Sequence, residues 1–186
     1  MEAQQTPRLK LVLMGSQGAG KTSLMWRFIR DEFIVQRPAT IICSPPGRNL
    51  VVAGMQTMVE MWDTAGQERF GDLNVQYYRN TDCAVAVFDV GARDSFEALQ
   101  HWSSELESKA RRTDCLPEDW EAPALVVLGN KADTEGVVSW SEAQAWARAK
   151  AAPLFLCSAQ TGQGVEAAFH EAARLGLSRQ LRLSKQ

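Results

Sequence analysis

The sequence predicts an α/β domain in three layers, a mainly parallel sheet covered on both faces by helices. Three observations carry this expectation. Short apolar runs recur along the chain, RLKLVLMG, CAVAVFDV, APALVVLGN and APLFLCSA among them, and runs of that length bounded by turn residues read as buried strands. The segments between them place apolar residues at helical spacing, and strands alternating with helices give parallel neighbours whose crossovers cover both faces. Finally, 186 residues suit one domain with one hydrophobic core.

The elements follow in order. RLKLVLMG ends in a glycine and forms the first strand, and KTSLMWRFIRDEF continues as a helix with Leu24, Met25 and Phe28 on its inner side. NLVVAGMQTMVEMWD alternates as two strands that turn near Ala53 and Gly54. Further strands are CAVAVFDV, APALVVLGN and APLFLCSA, with helices over 95–112, 141–150 and 165 to about 177. The last helix carries one apolar stripe, Val165, Ala168, Phe169, Ala172 and Leu175. The expected organisation is an N-terminal segment, 1–7, a domain over 8–178 and a tail, 179–186. In open α/β sheets ligands bind beyond the C-terminal ends of the strands. Here those ends carry Gly15, Asp63, Asn130 and Ser158, so the candidate motifs gather on one rim.

Composition excludes several classes of function. Apolar residues at 45% and charged residues at 23% are ordinary for a globular domain. A net charge of −2 argues against a dominant nucleic-acid face. The four cysteines, Cys43, Cys83, Cys115 and Cys157, lack metal-site spacing, and the three in apolar stretches (Cys43, Cys83, Cys157) read as reduced core thiols. MEAQQTPR is polar and shows no signal pattern, and the apolar runs are too short to span a bilayer.

GSQGAGKT fits G-x-x-x-x-G-K-[ST], a phosphate cradle. Glycines let the backbone wrap closely so that N–H groups point inward, and the following helix adds the positive end of its dipole. The candidate cradle residues are Gly15, Gln17, Gly18, Ala19, Gly20, Lys21, Thr22 and Ser23. Lys21 would supply a point charge to the outer phosphates, and the Thr22 hydroxyl would ligate Mg²⁺. In WDTAGQE, Asp63 would hold Mg²⁺ through a water, Gly66 would bring its N–H to a γ-phosphate and Gln67 would orient an attacking water.

GNKAD selects the base. The Asp133 carboxylate accepts two hydrogens from guanine, whereas adenine would leave it unpaired, and polar sites reject such analogues by large factors. Asn130 would brace the loop, the Lys131 stem would pack on the base, and in CSAQ the Ala159 N–H would donate to guanine O6, with Ser158 and Gln160 beside it.

With these motifs in order, the sequence resembles the Ras superfamily of small GTPases, and within it the Rab branch. WDTAGQERF and YYRNTDCAVAVFDV look like Rab sequence, while KTSLM, DEF, VVLGNKAD, EAQAWA and LPEDWEAPALVVLGNK are most similar to the late-endosomal and lysosomal subfamily. The resemblance implies a P-loop small G domain of six strands, with one antiparallel edge strand and about five helices. It implies GTP or GDP as the bound nucleotide with Mg²⁺, held by Thr22, Thr40 and Asp63. It implies slow GTP hydrolysis by Gln67, Lys21, Thr40 and Gly66, and a switch acting in vesicle and endosomal traffic. By resemblance, Phe33 would stack edge-on against guanine and Thr40 would sense the γ-phosphate. The implied partners are an exchange factor, a GTPase-activating protein and effectors at the switch surface of a monomer.

Several positions depart from the Rab pattern. Ile42 replaces a glycine, Pro45 replaces an aromatic of an effector-facing triad whose other members match Trp62 and Tyr77, Arg37 replaces a tyrosine and Gln160 replaces the lysine of S-A-K. Gln17 is expected to crowd the γ-phosphate region. Pro45-Pro46-Gly47 is expected to shorten or bend the edge strand, since proline lacks an N–H. Rabs finish in a tail with prenylated cysteines, whereas this sequence reaches LRLSKQ. Membrane contact is therefore expected to be indirect unless such a tail follows, with a cytoplasmic protein peripheral on endosomal or lysosomal membranes. Two other readings stay open here, a nucleotide-holding adaptor that does not cycle and a P-loop kinase. His101, His170, Trp26, Trp102 and Trp146 read as helix residues without a ligand role, and Trp120 and Trp140 as candidate partner contacts.

Overall fold

A computed structural model describes residues 6–33, 45–64, 78–110 and 121–185. The strands are β1 (Arg8–Met14), β2 (Gly47–Val52), β3 (Met55–Asp63), β4 (Cys83–Asp89), β5 (Ala124–Asn130) and β6 (Leu154–Leu156). The helical segments described are α1 (Lys21–Arg30), α2 (Arg93–Glu97), α3 (Leu99–Ala110), α4 (Trp140–Ala149) and α5 (Val165–Leu183). Only Ala98 separates α2 from α3, so the two run as one interrupted helix.

The six strands form one sheet in the order β2-β3-β1-β4-β5-β6. All neighbours are parallel except the hairpin β2–β3, as expected. The hairpin turns at Ala53 and Gly54, whose φ values of 50° and 80° both lie in the left-handed region that a tight two-residue turn demands. β2 begins at Gly47, directly after the two prolines. The ladder still reaches back one residue, because the Met61 N–H donates to the Pro46 carbonyl at 2.8 Å.

Period-two alternation sorts the central strands into two cores. Leu9, Leu11 and Leu13 of β1, Cys83, Val85 and Val87 of β4, and Val126 and Leu128 of β5 face α1 and α5. Val12, Met14, Ala84, Ala86, Phe88 and Val127 face Phe96 of α2, Leu99, Trp102 and Leu106 of α3, and Ala143 and Ala147 of α4. Strands buried on both faces explain the unbroken apolar runs in the sequence. Phe28 and Phe169 stack with ring centroids 4.7 Å apart and join α1 to α5. Replacing either by alanine would cost about 3–5 kcal/mol. Cys83 and Cys157 are buried free thiols, and burial pushes the Cys157 thiol up to about 12, which keeps it protonated; Cys43 and Cys115 lie outside the described residues.

Two expectations need correction. The last helix does not end near Leu177, and residues 179–183 are not tail, for α5 runs to Leu183. The reason is Arg179, a cation on the helix's inner face and only 8% exposed. Its guanidinium donates to the carbonyls of Ala122 (3.1 Å), Thr81 (3.4 Å) and Glu121 (2.6 Å), just before β5 and β4 begin. Asp82 completes this lower rim, accepting the Lys10 N–H at 2.8 Å. Burial raises the pKa of Asp82 and lowers that of Arg179, each opposed by the other's charge.

Candidate functional site

β1 ends at Met14, and the chain then makes the loop 15–20 before entering α1. Two glycines decide its path. Gly15 has φ 139°, and a Cβ there would lie 2.1 Å from the Val87 carbonyl oxygen of β4. Gly20, at φ 92°, caps α1 without any side-chain bond, and a Cβ there would lie 2.1 Å from Asn130 Nδ2. Any other residue at Gly20 would push away the asparagine that braces the loop. Asn130 itself is buried and donates from Nδ2 to the Ala19 carbonyl at 2.8 Å.

Lys21 opens α1 and is 5% exposed. Its ammonium lies back across the loop, donating to the carbonyls of Gly15 at 2.6 Å and Ser16 at 2.9 Å. These carbonyls hold the charge at the mouth of the cradle, where phosphate oxygens can take their place. Thr22 donates from its hydroxyl to Asp63 Oδ2, which joins the first turn of α1 to the last residue of β3. One hydroxyl and one carboxylate are hard oxygen donors, and Mg²⁺ favours few protein ligands supplemented by phosphate and water. The donor set therefore fits Mg²⁺. Among the described residues no cluster of three or more His, Cys, Asp or Glu side chains competes as a metal site. Gln17 and Gly18 form the exposed crest of the loop, while Ser23 is half-buried inside α1.

The base-side residues converge on the same rim. β5 delivers Asn130, after which Lys131 turns the chain with φ 64° and pairs through its ammonium with Asp89 Oδ2 at 2.6 Å. Asp133 is exposed and accepts the Ser158 hydroxyl. The Ser158 oxygen in turn accepts the Thr161 N–H at 3.1 Å. The Ala159 N–H donates to Asn130 Oδ1 at 3.2 Å, so the group expected to read O6 already faces the braced loop. Gly164 starts α5, and a Cβ there would lie 2.2 Å from the Leu156 carbonyl, so β6 and α5 hold the intervening turn tightly.

Phe33 is half-buried and packs against the α1–α5 core. Trp62 is partly buried, with the Lys10 ammonium 4.1 Å from its ring centroid. His101 is exposed and His170 half-buried, each beside a glutamate one turn away on its own helix. Trp102 is buried, while Trp26 and Trp146 pack at the edges of the two cores. Trp140 is 44% exposed and lines a cleft of about 160 Å³ with Phe88, Val90, Val138 and Leu156. Thr40, Gly66 and Gln67 lie outside the described residues, as do Arg37, Ile42, Tyr77 and Trp120.

Sequence reasoning missed one residue of this rim. Arg27 sits on α1 in what reads as a solvated helix face, yet it donates to the carbonyls of Ala159 and Gln160, both at 2.8 Å. Its local pairing with Asp31 gives no sign of this role, since the two carbonyls it grips lie 132 and 133 residues away in the chain.

Comparisons with known proteins agree with this geometry. The sequence model of the Ras family matches residues 10–177. Ras-related protein RABG3d of Arabidopsis thaliana is 40% identical over 174 residues, 91% of this chain and 82% of the relative. The Ypt/Rab-type GTPase ypt7 of Pyricularia oryzae is 38% identical over 184 residues, 97% of this chain and 87% of the relative. Ras-related protein Rab7 of Glycine max is 37% identical over 183 residues, 96% and 86% of the two chains.

Proposed function

The chain belongs to the Ras family of small GTPases, in the Rab branch of late-endosomal type that hydrolyses GTP and regulates membrane traffic, and from that membership we propose how its residues carry the cycle. The observation that carries the reading is the single rim on which Lys21, the Thr22–Asp63 contact and the braced Asn130–Ala19–Ala159 loop meet. Gly15 and Gln17 to Ser23 bind the phosphates, with Gln17 crowding the γ-phosphate. Phe33, Asn130, Lys131, Asp133, Ser158, Ala159 and Gln160 bind guanine. Mg²⁺, neutralising the phosphate charge, would be held by Thr22 and Thr40 and, through water, by Asp63. Thr40 and the Gly66 N–H hold the γ-phosphate and order two loops, which relax when hydrolysis removes it. Gln67 orients the water. Intrinsic turnover in comparable GTPases is roughly 10⁻⁴ to 10⁻³ per second, and an activating protein adds about five orders of magnitude.

In this reading an exchange factor, an activating protein and effectors engage the switch surface of a monomer. Ile42 and Pro45 alter that surface, so its effectors differ from those that read a glycine and an aromatic there. The protein works at endosomal or lysosomal membranes as a peripheral component, brought there by partners or by a prenylated tail. No helix among the described residues is long and apolar enough to cross a membrane.

Single-turnover hydrolysis of GTP with Mg²⁺ tests the residue roles. Gln67→Leu is expected to lower the rate at least about tenfold while leaving GTP affinity near that of the parent. Equal and negligible rates in both proteins would overturn the assignment and favour the adaptor that holds nucleotide without cycling.

A further inference from the structure

We propose that Arg27 is a positioning residue for the guanine base, aiming the Ala159 N–H by clamping the peptide groups on its far side. The proposal rests on the reading of Ala159 as the group that meets guanine O6.

The guanidinium is used as a fork. Nε donates to the Ala159 carbonyl at 2.8 Å and Nη2 to the Gln160 carbonyl at 2.8 Å. Nη1 donates to the Asp31 carbonyl at 2.9 Å and to its carboxylate at 2.8 Å. The Arg27 side chain is 16% exposed, so these charge-assisted bonds work largely out of water.

The consequence for Ala159 is conformational. Its N–H is held by Asn130 Oδ1 at 3.2 Å, and its C=O is held by Arg27. The peptide planes before and after Ala159 are therefore both fixed, one from β5 and one from α1. The only soft torsions between them, φ and ψ of this alanine, have little room to change. With the peptide plane fixed before the ligand arrives, the N–H has only to share or exchange its long 3.2 Å bond to Asn130 Oδ1 for one to guanine O6, which avoids the ordering cost of binding. At positions 159 and 160 the fork takes hold through backbone carbonyls alone. That explains why position 160 tolerates glutamine where the Rab pattern has lysine. The opposite end of the fork grips Asp31, the left-handed C-cap of α1 at φ 54°, two residues before Phe33. One side chain thus ties the loop on the edge of the base to the segment leading to its face.

The test uses the full chain with Mg²⁺ and compares GDP with 6-thioguanosine diphosphate. The analogue keeps N1–H and the 2-amino group for Asp133 but carries a poor sulfur acceptor in place of O6. Affinities are measured for the parent, Arg27→Ala and Arg27→Lys. The parent is expected to prefer GDP. Arg27→Ala is expected to bind GDP about tenfold more weakly and the thio analogue nearly as before, so that the preference collapses. Arg27→Lys keeps the charge but cannot fork two carbonyls, so its preference should fall in between. If both ligands weaken by the same factor and the preference survives, Arg27 only staples the fold and the proposal fails. If Arg27→Ala does not fold, the lysine variant decides by the same ratio. If the parent itself does not distinguish the two nucleotides, the O6 reading falls and takes the proposal with it.

Discussion

The two rims of the sheet use charge in opposite ways. On the upper rim, polar groups lean on one another or on loop carbonyls: Lys21 on Gly15 and Ser16, Thr22 on Asp63, Ser158 on Asp133. Phosphate oxygens, a metal ion or a base can replace each of these contacts in kind. On the lower rim, Arg179 is sunk among carbonyls from the segments before β4 and β5, and Asp82 is fastened to the β1 backbone. Nothing that diffuses in could substitute there. The same sheet thus has an exchangeable end, where we propose the chemistry takes place, and a saturated end that closes the fold. The difference predicts that variants at one end change binding and at the other change stability.

The largest expected effect breaks the upper rim alone. Asp133→Asn replaces the carboxylate that we propose pairs with guanine N1–H and the 2-amino group, and should lower GDP affinity by about 10³-fold or more. The same amide offers a donor to the C2 carbonyl of xanthine, so xanthosine diphosphate should gain affinity. Calorimetric titration of both nucleotides reads this out, with the melting temperature of the free protein little changed. A variant that melts early and binds neither nucleotide would erase the contrast between the rims.

The next effect belongs to the lower rim. Arg179→Ala leaves three carbonyls without their donor and Asp82 without one of its opposing charges. It should cost about 3 kcal/mol in urea denaturation. Nucleotide affinity per folded molecule should stay within a factor of about two, because the guanidinium binds at the strand starts, far from the cradle.

The smallest effect sharpens the comparison through pH. Burial lowers the Lys10 pKa from 10.5 to about 8, against the pull of Asp82 and Glu60. Between those values the folded lysine has released a proton that the unfolded chain still holds. At this residue the unfolded state then binds more protons, so the Lys10 contribution to stability should rise with pH from about 8 to 10.5, while the buried Cys83 and Cys157 thiols, raised by burial, pull the other way. Lys10→Met should remove that contribution, read as the difference between parent and variant urea midpoints at pH 7.5 and 9.5, while GDP affinity of the variant matches that of the parent at each pH.

Much of this was legible in the chain because local pattern and tertiary need coincide. The strand ends at Gly15, Asp63, Asn130 and Ser158 are where apolar runs stop and chemistry-bearing residues begin. Of the stripe on the last helix, Val165, Ala168, Phe169 and Ala172 are buried and Leu175 packs partly. Two of the three misses share a cause. α5 outruns its apolar stripe because Arg179 takes over the inward position, and an arginine there reads as solvated until its carbonyl partners are known. Arg27 is hidden for the same reason. The interruption at Ala98 is the third, where the Ala98 N–H donates to Asp94 and Phe96 carbonyls. Long side chains that satisfy distant backbone leave no periodic trace.

The proline pair before β2 has a further consequence, for association between chains. The Met61–Pro46 bond and the register Arg48↔Val59 mean that Pro46, Arg48, Leu50 and Val52 direct their backbone groups towards β3. Gly47, Asn49 and Val51 direct theirs away from it, and Pro45, next in that row, has no N–H to offer. Among the described residues β2 is the outermost strand, so a strand approaching this edge from another molecule meets a template of three donors and then a stop. Short, proline-ended edges of this kind resist edge-to-edge strand pairing. At Val51, the most exposed large apolar side chain of that edge, this matters for keeping the protein dispersed.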